Sequence, residues 1–174
     1  MTTICKSLLF SFCILVVSAG CGYHIGVRGM THPQIQSIAI APVQNNTLEP
    51  LASDVLRMQI SGEVQRDGAL KLKRQGSADC IIHAVITSVR NVTLEKESYD
   101  YGVNFRPAKF QLTVDVSFSV EIPGSGTPLV SNRTVSGSAT YDVLADPAVS
   151  RSTALKYACF HAAQAIVRSV TEGW

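Results

Sequence analysis

The most regular stretch of this 174-residue chain alternates without a break. Phe110, Leu112, Val114, Val116, Phe118, Val120 and Ile122 take every second position, and Gln111, Thr113, Asp115, Ser117, Ser119 and Glu121 fill the places between. A period of two belongs to a β-strand, so the segment predicts a long strand with one face in a core and one polar face. Pro123-Gly124-Ser125-Gly126-Thr127-Pro128 turns the chain, and Leu129 to Val143, rich in Ser and Thr, returns as its hairpin partner. Upstream, Ile35 to Val43 mixes Ile35, Ile38, Ile40 and Val43 with small residues and reads as a buried strand closed by Asn45-Asn46-Thr47. Ala52, Val55, Leu56, Ile60 and Val64 then recur near helical spacing, with Ser53 or Thr47 as cap and Asp67-Gly68 as stop. Gly62 inside that run weakens it.

Leu70 and Leu72 alternate with Lys71 and Lys73 as a short strand with one wet face, and Cys80 to Val89 is β-branched and apolar, as a mostly buried strand is. Glu95 to Pro107, with Tyr99, Tyr101 and Phe105, has no regular period. Asp146-Pro147 has the residues of an N-cap and first turn, and Leu155, Ala158, Cys159, Ala162, Ile166 and Val170 set the apolar stripe of a helix running to the C-terminus. The order predicts an α+β two-layer sandwich: a mostly antiparallel or mixed sheet of four to five strands with two helices packed on one face. The other face, polar along the hairpin, is wet or covered by something hydrophilic.

The first twenty residues follow a different pattern. Lys6 precedes an apolar run from Leu8 to Val17, and Ser18-Ala19-Gly20 leads directly to Cys21. This is the anatomy of a secretory signal, and the run falls short of the roughly 20 apolar residues that span a bilayer. Ser18-Ala19-Gly20-Cys21 resembles a bacterial lipobox, departing from it where Ser18 replaces the usual branched apolar residue. The expectation is cleavage before Cys21 and acylation of Cys21 with diacylglycerol and a further chain such as palmitate. Each buried methylene contributes about 0.8 kcal/mol, so several chains hold a protein at a bilayer almost permanently. Gly22 stands where an aspartate would retain an enterobacterial lipoprotein in the inner membrane, which favours the outer membrane of a Gram-negative cell. The chain thus divides into a signal peptide (1–20), a lipidated Gly-rich tether (21–33) and one α+β domain (34–174), on the periplasmic side.

Without the signal, 14 Lys and Arg face 13 Asp and Glu, so no global field draws the protein to nucleic acid. Cys5 and Cys13 leave with the signal and Cys21 is spent on lipid. Cys80 and Cys159 remain, either as separate buried thiols or as a periplasmic disulfide, whose loop of about 80 residues would stabilise the fold by roughly 4 kcal/mol. His24, His32, His83 and His161 show no metal-ligand spacing; His83 and His161 read as structural histidines. No phosphate loop, nucleophile elbow or paired-carboxylate site is present, so the sequence gives no catalytic, metal or cofactor assignment. Three Asn-x-Thr sequons, beginning at Asn45, Asn91 and Asn132, have no glycosylation meaning behind a bacterial signal.

Several segments in order resemble the LptE family of lipopolysaccharide-assembly lipoproteins. Cys21-Gly22-Tyr23-His24 puts an aromatic just after the lipidated cysteine. Ile38-Ala39-Ile40-Ala41-Pro42-Val43 leads to Asn45-Asn46-Thr47-Leu48-Glu49-Pro50, and a helix leads to Arg66-Asp67-Gly68. Leu70 and Leu72 follow, then Ala78-Asp79 before Ile81 and Ile82. The match runs over about residues 21–95 and continues only as a pattern beyond. The resemblance implies a non-enzymatic outer-membrane lipoprotein that plugs and supports the LptD β-barrel and assists delivery of lipopolysaccharide. The polar face of Gln111, Thr113, Asp115, Ser117 and Ser119 suits a barrel lumen, which is polar, as well as plain solvent. Lipid A phosphates attract cations, and Lys71, Lys73 and Arg74 form the densest group, with Lys96, Arg106 and Lys109 around the irregular segment. The competing reading is an outer-membrane lipoprotein adaptor of another complex, such as a peptidoglycan-synthase activator or a curli-secretion lipoprotein.

Overall fold

The computed structural model describes residues 35–99, 104–143 and 146–172. The signal, Cys21, the tether and Tyr101 lie outside the described residues. β1 (Ser37–Ile40) and β2 (Gln44–Asn45) are two pieces of one path along the sheet, interrupted at Pro42, which has no N–H to donate. α1 (Ala52–Asp67) and the short β3 (Lys71–Leu72) follow, then a single 3₁₀ turn at Gln75–Ser77. β4 (Cys80–Tyr99), β5 (Asn104–Glu121) and β6 (Val130–Asp142) form an antiparallel meander, and α2 (Pro147–Thr171) closes the order.

The sheet runs β3-β1-β4-β5-β6, with β2 also on β4, and is mixed because β1 pairs parallel with both β3 and β4. It has six strands, more than the four to five expected, because Gln44–Asn45, at the edge of the turn read as closing the first strand, pairs with β4 as a separate strand. Both helices lie on the face that bears Ile82, Ile86, Leu112, Val114, Val116, Phe118 and Val120, all fully buried with Leu56, Ile60, Ala158 and Ile166. Two layers around one apolar interior are the α+β sandwich that the pattern predicts.

The helix ends differ in how far local chemistry sets them. Asp146 caps α2 as expected, accepting from the N–H groups of Ala148 (3.0 Å) and Val149 (3.1 Å) with Pro147 in the first turn. Neither Ser53 nor Thr47 caps α1. Leu51 stands at its N-cap without a side-chain bond, and the Ala52 N–H instead donates to the Glu49 carbonyl (3.2 Å). Gly68 stops α1 in the left-handed region at φ 71°, where glycine carries no Cβ penalty. The two helices meet through the buried Glu63, paired with Arg66, whose guanidinium lies 5.3 Å from the centre of the Phe160 ring.

β4 departs most from expectation. The segment from Glu95, which has no period in sequence, continues β4 to Tyr99, and β5 already begins at Asn104. Ile86 pairs with Val116 but Ser88 with Asp115, so Thr87 is an extra residue, a β-bulge. Ile82, Ala84 and Ile86 face the helices before it, whereas Val89, Asn91 and Thr93 hold that side after it. Further irregularities follow at Thr93/Glu95 and Glu95/Lys96. Beyond Asn45, which pairs with Ile86, β5 is the only strand beside β4 among the described residues.

Candidate functional site

Among the described residues, no helix covers the second face of the sheet. It is a carpet of hydroxyls and amides: Thr134, Ser136, Ser138 and Thr140 on β6 register against Ser117, Asp115, Thr113 and Gln111 on β5. Among the described residues its best-connected charge is Asp115, half-buried at the middle of the central row. Ser88 Oγ (2.5 Å) and Arg90 Nη2 (2.8 Å) from β4 donate to its Oδ2, and Ser136 Oγ from β6 donates to Oδ1 (2.6 Å). Burial opposes ionisation of Asp115, but the Ser136 and Ser88 hydroxyls and the Arg90 guanidinium outweigh it and hold the carboxyl below its ordinary range. The acid in the middle of the alternating strand, between Thr113 and Ser117, is the signal that marks this hub in sequence; its partners on two other strands are not legible there.

The segments that carry the family resemblance have structural work. Asn45 Oδ1 accepts from the N–H (3.0 Å) and hydroxyl (2.7 Å) of Thr47, while its Nδ2 donates to the Glu49 carbonyl (2.7 Å). This self-braced Asx-type loop aims Glu49 at α2, where Arg151 donates to both carboxylate oxygens, at 3.0 and 2.5 Å. That fork keeps Arg151 protonated, with its pKa raised first by the Glu49 hydrogen bonds. Asp79, of the Ala-Asp pair, ties down the start of β1 by accepting from Ser37 Oγ (2.7 Å), the Ser37 N–H (2.9 Å) and the Gln36 N–H (3.0 Å). The Ser37 hydroxyl is the main cause that lowers the Asp79 pKa.

Of the predicted cations, Lys73 and Arg74 line a cleft at the β3 edge of the sheet, joined there by Arg57 from α1. Lys71 is exposed on β3 and stands outside that cleft. Lys109 pairs with Glu95 (3.2 Å) and Lys96 is exposed; the Arg106 side chain lies outside the description. Arg57 was not singled out in sequence, because 16 positions separate it from Lys73 and only the fold brings them together.

Cys80 and Cys159 are free, buried thiols, so the separate-thiol alternative is the one observed. Burial pushes both up to about 12, aided at Cys80 by the neighbouring Asp79 charge. Cys80 Sγ donates to the Ser37 carbonyl (3.6 Å). His83 and His161 are exposed rather than enclosed; His83 Nε2 lies 3.7 Å from Glu121 Oε2 and His161 tilts against the Phe160 ring. Among the described residues no group of three or more His, Cys, Asp or Glu side chains is arranged to hold a metal, and no helix is long and apolar enough to cross a membrane.

Solved structures share the fold. A minor lipoprotein from Acinetobacter baumannii superposes with a TM-score of 0.53 at 14% identity, covering 80% of this chain and 95% of that one. A protein from Xanthomonas campestris gives 0.55 at 10% identity, with coverages of 79% and 85%. No curated protein sequence matches the chain. The lipopolysaccharide-assembly family model, LptE, matches residues 35–170, which takes in every strand and nearly all of α2. This chain therefore belongs to the LptE lipopolysaccharide-assembly family.

Proposed function

We propose that the protein is an outer-membrane lipoprotein, anchored through acylated Cys21, that plugs and supports an LptD-like β-barrel and assists lipopolysaccharide transport without catalysing a reaction. Family membership supports the assembly role. The observation that carries the barrel reading is the hydroxyl-rich face of β5 and β6, with Asp115 at its centre, which no helix among the described residues covers. The inner wall of a large outer-membrane barrel is polar and hydrated, and Ser, Thr and Gln side chains can exchange hydrogen bonds with it without burying an unpaired charge. The two helices, which hold the apolar interior, then face away from that wall. The domain of residues 34–174 does this work, and the tether of residues 21–33 sets its distance from the bilayer.

Purification of the full chain from native membranes in detergent tests the reading. A β-barrel of outer-membrane type co-purifies if it is right, and Thr113→Arg with Ser138→Arg lowers the barrel recovered while leaving the melting temperature unchanged. Recovery of a bitopic synthase, or equal barrel recovery from the double variant, refutes it.

A further inference from the structure

Large apolar side chains stand out in water at one end of the domain. Among the described residues seven are exposed, and five of them, Leu48, Leu51, Val92, Leu94 and Val149, gather at the end towards which β2 and β4 run. Gln44 and Asn45 pair parallel with Val85 and Ile86, so the loop that carries Leu48 starts where β4 continues outward to Val92 and Leu94. The Arg151 fork on Glu49 draws that loop onto the first turn of α2, which carries Val149. Leu48 is fully exposed and held there, because Asn45 and Thr47 bond within the loop on one side of it and Glu49 is fixed to α2 on the other. Single apolar side chains are common on surfaces, whereas a group of them on a braced loop marks contact with something apolar. Three cations at this end, Arg90, Lys109 and Arg151, are already paired with Asp115, Glu95 and Glu49. The end therefore offers apolar area without a field that selects an anionic partner.

We infer that this end docks the domain on the phospholipid bilayer that holds its anchor, with Leu48, Leu51 and Val149 entering the boundary between headgroups and acyl chains. The length of chain before the first strand allows it. The 14 residues from Cys21 to Gln34 reach at most about 50 Å when extended. The sheet path from Ser37 to Asn45 covers about 30 Å, so the tether is long enough to leave Cys21 in the bilayer on which the far end rests. Five aliphatic side chains offer less than the roughly 800 Å² per partner that a stable protein interface buries. A surface already tethered to the bilayer docks intramolecularly, and there a small apolar area suffices. Interfacial contact of this kind grows with the apolar area buried and, with the neighbouring cations paired, does not require anionic lipid. It uses the strand ends and leaves the hydroxyl-rich sheet face free for a barrel. The inference rests on the anchored-lipoprotein reading, which brings the bilayer within reach.

The test uses the mature acylated chain in phosphatidylcholine vesicles. Cys80 and Cys159 are buried, so a thiol introduced by Leu48→Cys or Lys71→Cys takes an environment-sensitive nitrobenzoxadiazole label selectively. The label at position 48 shifts to the blue and is quenched by lipids that carry a doxyl group near the headgroup. The label at position 71, which pairs with Ser37 at the opposite end of the sheet, stays in water. Leu51→Ser/Val149→Ser lowers the docked-to-undocked ratio by about a hundredfold, since each aliphatic side chain returned to water costs about a tenfold factor. Exchange of phosphatidylcholine for phosphatidylglycerol, or addition of about 1 M salt, changes the quenching by less than about twofold. Water-like emission at position 48, equal quenching at both positions, quenching that the double variant retains, or quenching lost in salt overturns the inference. Mass spectrometry of Cys21 and recovery of the barrel keep the readings apart. An acylated chain whose label at position 48 stays in water sinks the docking alone, and a chain without acyl groups sinks the anchor reading and the docking with it. A wild type that docks but recovers no barrel sinks the barrel reading alone. A double variant that still docks but loses the barrel assigns this end to the barrel and overturns the inference.

Discussion

Replacing Gly137 with Ala tests the packing on which this fold rests. Gly137 is buried in β6, opposite Val114, where α2 crosses the sheet. A Cβ placed there lies 2.1 Å from the Ala158 carbonyl oxygen, 2.4 Å from the Ala162 nitrogen and 3.0 Å from the Ala162 Cβ. The first two are helix backbone, so no rotamer change relieves the contact and α2 must move away from β6. Overpacking of this kind costs about 1–3 kcal/mol, with rigid backbone at the upper end. Against it, Ala restricts the unfolded chain and returns about 0.4–1 kcal/mol. The net expected loss is about 2 kcal/mol, which lowers the melting temperature of a domain this size by roughly 4–8 °C. Gly62, inside α1 with nothing within 4 Å of its Cβ position, is the control: Gly62→Ala stabilises by about 1 kcal/mol. Urea and thermal unfolding followed by circular dichroism read both variants. A Gly137→Ala protein as stable as the wild type, with an unchanged denaturant slope, would show that the helix does not pack this tightly on β6.

Three further expectations follow from the same contacts. Glu49→Gln removes one charge from a bidentate pair whose Arg151 end is partly exposed and screened, so it costs about 1 kcal/mol in urea unfolding; a loss below measurement would mean the loop holds itself without α2. Cys80 and Cys159 resist alkylation at pH 8 until the protein is denatured, and the same two thiols then react without reductant, as mass spectrometry would record; labelling of the native protein contradicts the burial. Their raised folded pKa values of about 12 mean that the unfolded chain loses protons first, so their contribution to stability is present below pH 9 and fades as pH rises from 9 towards 12. Asp79 has the opposite sign: its folded pKa is lowered, so its contribution is present above pH 4 and disappears as pH falls through the depressed value. Acid unfolding of Asp79→Asn therefore shows a weaker pH dependence between pH 5 and 2 than the wild type; identical curves would remove Asp79 from the account of β1.

The alternation of residues 110–122, the Asp146-Pro147 start of α2 and the Gly68 stop of α1 were legible in sequence, because each depends on a local rule: period two, a cap, a positive φ. The family too was legible, since its motifs are contiguous. Tertiary structure decided what depends on register and distance. The bulge at Thr87 reverses which side chains of β4 face the core, so a strand of 20 residues has no single period and its second half looks irregular. β2 exists as a strand only because β4 offers Gln44 and Asn45 a partner beside a stretch that reads as a turn. Glu49 acquires its role from Arg151, 102 positions away. Gly137 and Gly62 look alike in sequence and differ only by what stands beside them. The cleft is the same case in charge: Lys73 and Arg74 were visible as a cationic run, but their convergence with Arg57, and the exclusion of Lys71, come from how α1 packs against the sheet edge, because electrostatic interaction depends on separation in space and not along the chain.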